Sequence, residues 1–107
     1  MTTFYKNEAV DLTTTNVTVV YTAPAAKTAI FKSILVSNDS GSADTITLTL
    51  TNAAAAVFSL YKLEEVGALS TRELLEQPLV LETAEIIKAQ AATAGRLHVV
   101  ASYMEIT

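Results

Sequence analysis

The sequence contains no cysteine and no tryptophan, only three glycines and two prolines, and a single histidine. Without cysteine there is neither a disulfide framework nor a thiolate metal site. With one histidine, His98, a nucleophilic triad has one candidate base and a zinc site is short of ligands. No run approaches the ~18 apolar residues that a membrane helix needs, so no membrane partner is expected. Basic side chains number 7 against 11 acidic ones, for a net charge of −4. They are scattered singly, and nucleic-acid binding, which draws on a basic patch, is not expected. The opening segment MTTFYKNEAVDLTTTN has no basic stretch followed by an apolar core, so synthesis in a cytoplasm without a secretory signal is expected.

What is present is the material of one domain. The chain has 107 residues and is 50% hydrophobic, much of that alanine, so the core must rest on Ile, Leu, Val, Phe and Tyr. The clearest pattern is DTITLTLT, where Ile46, Leu48 and Leu50 alternate with Thr45, Thr47, Thr49 and Thr51. A period of two with β-branched partners marks a half-buried strand with a threonine face turned to water or a partner. Before it, NVTVVYT places Val17, Val19 and Tyr21 on one face, and Pro24 sits in the short turn APAAK. TAIFKSILVSN follows as a longer strand, with Ile30, Ile34 and Val36 sharing a face with Lys32 and with Phe31 and Leu35 opposite. Apolar groups on both faces imply a strand covered twice. NDSGSAD is a turn by composition.

The second half is ambiguous in its residues alone. AAAAVFSLYKLEEVG fits a helix ended by Gly67 or a strand with Phe58 and Leu60 alternating. STRELLEQP allows one short helical turn at most, because Pro78 stops it. TAEIIKAQAATAG is helical by propensity, with Gly95 suited to a C-terminal cap. RLHVVASYMEI returns to strand composition. The first dozen residues are more polar and read as an arm carrying Phe4 and Tyr5.

A search for chemistry returns little. His98 lies between Leu97 and Val99 in a strand-like stretch and reads as structural. Glu64, Glu65, Glu73, Glu76, Glu82 and Glu85 would supply a glycosidase pair, but they also suit a solvated acidic face, and a sugar cleft lacks tryptophan here. Asp39, Gly41 and Asp44 match no EF-hand spacing and read as a turn. Asn16-Val17-Thr18 and Asn38-Asp39-Ser40 match the glycosylation acceptor pattern and read as turn or strand-edge residues. No enzymatic activity, cofactor or metal is expected. The remaining candidates form a protein-facing surface: Phe4 and Tyr5 on the arm, and Thr45, Thr47, Thr49 and Thr51 on the threonine face. A carbohydrate-binding module is the reading from another class, with exposed aromatics as its stacking platforms.

Four stretches, VVYTAPAAKTAIFKSILVSN, ADTITLTL, ELLEQPLVLETAEIIKAQA and LHVVASYMEI, occur in that order over most of residues 17–106. In this they resemble small β-sandwich virion proteins of tailed bacteriophages, many of them from aquatic and cyanobacterial hosts. The resemblance implies that LVLETAEIIKAQA is two strands joined by a tight turn at Thr83-Ala84, against its helix propensity. It also implies glycine where this chain has Ala26 and Ala84, since a turn residue there takes a positive φ most easily as glycine. The expected fold is all-β: an antiparallel sandwich of about eight strands, jelly-roll-like, with residues 1–12 as an N-terminal arm and 13–107 as the sandwich domain. The function it implies is that of a capsid decoration (cement) protein bound to the major capsid protein, or of a tail, baseplate, fibre or receptor-attachment component. The partners would be other virion proteins and copies of the chain itself, and the location the virion.

Overall fold

Short connections between alternating segments force antiparallel pairing, and the pairs here are nested like a rolled hairpin. A computed structural model describes residues 2–107 and contains no helix among them. Its strands are β1 (Thr3–Leu12), β2 (Thr18–Thr22), β3 (Thr28–Asn38), β4 (Asp44–Thr51), β5 (Val57–Val66), β6 (Ser70–Glu73), β7 (Leu79–Leu81), β8 (Ile86–Ala91) and β9 (Leu97–Ile106). The nested pairs are β4 with β5, β3 with β6 and β7, β2 with β8, and β1 with β9. Pairing of β3 with β9 and of β4 with β8 then closes two sheets, β1-β9-β3-β6/β7 and β2-β8-β4-β5. This is a jelly-roll β-sandwich. The sixth of its eight strand positions is split into β6 and β7 around Leu74–Pro78, where proline removes a ladder donor.

The ambiguous segments resolve as strands. In β8, Ile87, Ala89 and Ala91 are buried and alternate with Ile86, Lys88 and Gln90, so flanking by β2 and β4 overrides helix propensity. β7 and β8 are joined through Thr83-Ala84, as the resemblance implied. AAAAVFSLYKLEEVG supplies β5, an edge strand with two register shifts against β4.

The arm is a correction. Residues 3–12 form β1, which pairs with β9 from Thr3↔Ile106 to Leu12↔Leu97; Met1 lies outside the described residues. An edge strand buries only part of one face, so Leu12 and half-buried Val10 suffice to hold it despite its polarity. Phe4 and Tyr5, adjacent on a strand, therefore point to opposite faces and do not act as a pair.

Two face assignments are also corrected, for one reason. A register shift between Phe31 and Ser33 leaves Lys32 unpaired, so Phe31 joins Ile34 and Val36 in the core and Ile30 turns outward. A second shift between Val19 and Tyr21 buries both Val20 and Tyr21 and leaves Val19 exposed. Each bulge adds one residue, and one residue reverses every side chain beyond it.

Ala26 and Ala84 have φ of 61° and 69° and close turns in which Lys27 N–H bonds Pro24 O and Glu85 N–H bonds Glu82 O. These are left-handed positions that favour glycine, here filled by alanine. Ala26→Gly and Ala84→Gly should each raise stability by about 0.5–1 kcal/mol in urea unfolding, because relief of the Cβ clash exceeds the added unfolded-state freedom. A loss of stability in both variants would refute this.

Candidate assembly surfaces

The core places three aromatic rings across the sandwich. Tyr21 of β2 meets Phe31 of β3 edge-on at 5.1 Å, and Phe31 stacks on Tyr103 of β9 at 4.9 Å. Beside them lies Glu105, 2% exposed, on the inward side of β9. Tyr21 Oη donates to Glu105 Oε2 at 2.5 Å, while the ammonium groups of Lys6 and Lys27 stand 2.7 and 3.8 Å from Oε1. The hydrogen bond from Lys6, then that from Tyr21, holds the Glu105 carboxyl below its usual range despite burial. Burial, then the bond to Glu105, pushes the Tyr21 phenol up; burial and the charges of Glu8 and Glu105 push Tyr103 up to about 12. The cluster ties β1 and β9 of one sheet to β2 of the other. A buried carboxylate with an ammonium and a phenol already bound to it is a structural tie and offers no free base. Nothing in the residue patterns flagged it except parity: Glu105 follows Leu97, Val99, Ala101 and Tyr103 in the inward alternation of β9.

His98 lies on the outer face of β9, its Nε2 3.3 Å from Asp11 Oδ1 across the β1–β9 ladder. In the NDSGSAD turn, Asp44 accepts from the backbone N–H of Thr45 and Thr93, and Asn38 donates to Ser42 O and Val66 O. Those side chains serve the backbone of this turn and of the neighbouring chain at Val66 and Thr93.

The sequence-derived interface residues do not converge. Phe4 is half-exposed on the inward side of β1, with Lys6 Nζ 5.8 Å from its ring centre. Tyr5 is 82% exposed on the outer face of the same sheet. Thr45, Thr47 and Thr49 line the outer face of the other sheet, but they are half-buried in a central strand, and Thr47 Oγ1 accepts from Leu63 N–H. Thr51 is buried at the end of that row, its hydroxyl without a partner.

More telling is where large apolar side chains stand exposed. Leu35, Val80 and Val100 join Tyr5 on the outer face of the first sheet; Val19 and Val57 lie on or beside the second. Phe58 is 54% exposed on the edge strand β5. Between that edge and the β6–β7 break, Leu60, Tyr61, Leu75 and Leu79 line an open groove. Leu63 and Leu69 are exposed with φ of 54° each, an uncommon conformation for leucine.

The architecture is thus that of a jelly-roll sandwich with apolar groups on its faces and one flank. Neither a known protein family nor a curated protein matches the chain. A solved structure of Bacillus endospore appendages, described as a novel family of disulfide-linked pili, shares the fold with a TM-score of 0.58 at 10% identity. The similarity covers 99% of this chain and 88% of that one.

Proposed function

We propose that the chain is a structural assembly subunit of a virion, acting as a capsid decoration protein that braces neighbouring major capsid subunits. The observation that carries this is the distribution of exposed apolar side chains over outer faces and flank of a stiff sandwich. Contiguous apolar surface on a soluble domain marks protein contacts. The sequence resemblance set out above supports the virion setting. Copy number per purified particle, relative to the major capsid protein and measured by quantitative mass spectrometry, tests it. A simple fraction is expected; a ratio far lower moves the chain to the tail or a single vertex, and absence overturns the reading.

A second reading, a subunit of an extracellular filament, is favoured by the fold shared with the endospore appendage. With no cysteine, this chain would have to polymerise without the disulfide links of that appendage. Filaments formed by the purified chain in negative-stain micrographs would select this reading over decoration.

A further inference from the structure

The sandwich has four edges, and three of them are blunted. β2 is five residues long with a register shift, and β5 carries two register shifts and a left-handed Leu63. The edge shared by β6 and β7 is interrupted at Pro78. Short strands, bulges and proline keep sheet edges from pairing with another chain. β1 has none of these. It runs ten residues in unbroken register against β9, without proline, glycine or a positive φ. Thr107 N–H donates to Thr2 O, so the even-numbered residues of β1 exchange backbone bonds with β9. By alternation, the N–H and C=O groups of Thr3, Tyr5, Asn7 and Ala9 point away from the sheet, along an edge that is exposed from Thr3 to Asn7.

We propose that this edge pairs with β1 of a second copy of the chain, antiparallel, about a two-fold axis at Asn7. Charge selects that register. An axis at Lys6 would set Lys6 against Lys6 of the second copy, and an axis at Glu8 would set Glu8 against Glu8. Like charges directly opposite are destabilising, and axes further along the strand pair fewer of its residues. The axis at Asn7 sets Lys6 against Glu8 twice. It also sets Phe4, 45% exposed on the inward side, against half-buried Val10. On the outer face Tyr5 opposes Ala9, whose small side chain leaves room for the exposed ring, and Asp11 opposes Thr3. An inward-pointing lysine by itself guards an edge. Here Lys6 is already matched by Glu105 at 2.7 Å and gains Glu8 of the second copy. The contact adds about eight main-chain hydrogen bonds, within the range of a stable interface. β2, which lies beside β1 in the other sheet, carries no charge to oppose the approach. Self-pairing about one axis is isologous and closes at two copies.

The inference rests on the assembly reading and names one contact within it, yet the two fail separately. Dimerisation is read from the mass of the purified chain in solution, and virion association from particle composition. Sedimentation equilibrium at about 100 µM should give twice the monomer mass for the wild type. Asn7→Pro removes an outward N–H that β9 does not use, a placement that edge strands tolerate. It should give a monomer with wild-type far-UV circular dichroism and dimer affinity weakened at least about 100-fold. Val80→Lys, on the outer face at the far edge of the same sheet, should remain dimeric. The absence of native cysteine permits a check of register that does not depend on the proline variant. Phe4→Cys combined with Val10→Cys should oxidise to a covalent dimer, because the two positions face each other across the axis but stand about 20 Å apart along one strand. Either cysteine alone should stay uncrosslinked. A monomeric wild type, a dimeric Asn7→Pro, a monomeric Val80→Lys, or a double-cysteine variant that crosslinks no better than the single ones would overturn the inference.

Discussion

Replacing Phe31 by alanine is expected to lower the unfolding free energy by about 3–5 kcal/mol. The side chain is fully buried and lies between the two tyrosines, so its loss leaves a void lined by rings that cannot collapse from two separate sheets at once. The lost transfer energy and the residual cavity add. Against a total of about 5–15 kcal/mol for a domain of this size, that is a fifth of the stability or more. The midpoint of thermal unfolding should fall by about 12–25 °C. A loss below about 1 kcal/mol in urea unfolding would mean that the two sheets are held together elsewhere.

The second large effect concerns Lys6. Lys6→Met removes the nearer of two ammonium groups from buried Glu105 and leaves the carboxylate to Tyr21 and to Lys27 at 3.8 Å. Glu105 is buried but Lys6 is 44% exposed, so solvent screens the pair and removing Lys6 costs about 1.5–2 kcal/mol near neutral pH, the worth of one hydrogen bond to a charged group. The pH dependence is diagnostic. Glu105 has a folded pKa below its ordinary 4.5, so it contributes stability above 4.5 that is lost as pH falls through the lower folded value. Since Lys6 is the largest cause of that lowering, the gap between wild type and Lys6→Met should narrow on acidification below 4.5. A gap that stays constant down to about pH 3 would show that the loss is one of packing and not of charge. On the alkaline side the sign reverses. Tyr21 and Tyr103 are raised above the ordinary 10, Tyr103 to about 12, so their contribution is complete below 10 and is lost as pH rises through 12 and beyond. Tyrosinate absorbance from these two residues should appear together with the loss of β-sheet signal.

Much of the sandwich was legible residue by residue. The alternation of Ile46 and Leu48 with threonines survives intact in β4, because a central strand between two neighbours has one dry face along its length. The parity of Leu97, Val99, Ala101 and Tyr103 holds in β9 for the same reason. β8 was legible only through resemblance, since an Ala-, Lys- and Gln-rich segment favours helix until neighbouring strands supply its hydrogen bonds. β1 was misread because edge strands need few apolar residues.

The candidate surface was less legible. Phe4 and Tyr5 were singled out for their bulk, but only pairing with β9 sends one inward and the other onto the outer face. Ile30 was assigned to the face of Ile34 and Val36, and only the bulge at Lys32 puts it in the row of Tyr5 and Met104.

Local chemistry determined that this chain forms strands, that they join by short turns, and that no disulfide, thiolate or histidine cluster supports it. These follow from composition and from side-chain alternation, which act between near neighbours. Tertiary structure alone decided which residues face one another, because a bulge shifts parity by one residue and a cross-strand row joins positions as distant as Tyr5 and Met104. The same holds for Glu105, an acid at a core position whose burial is tolerable only where Lys6, Lys27 and Tyr21 arrive from three other strands or turns.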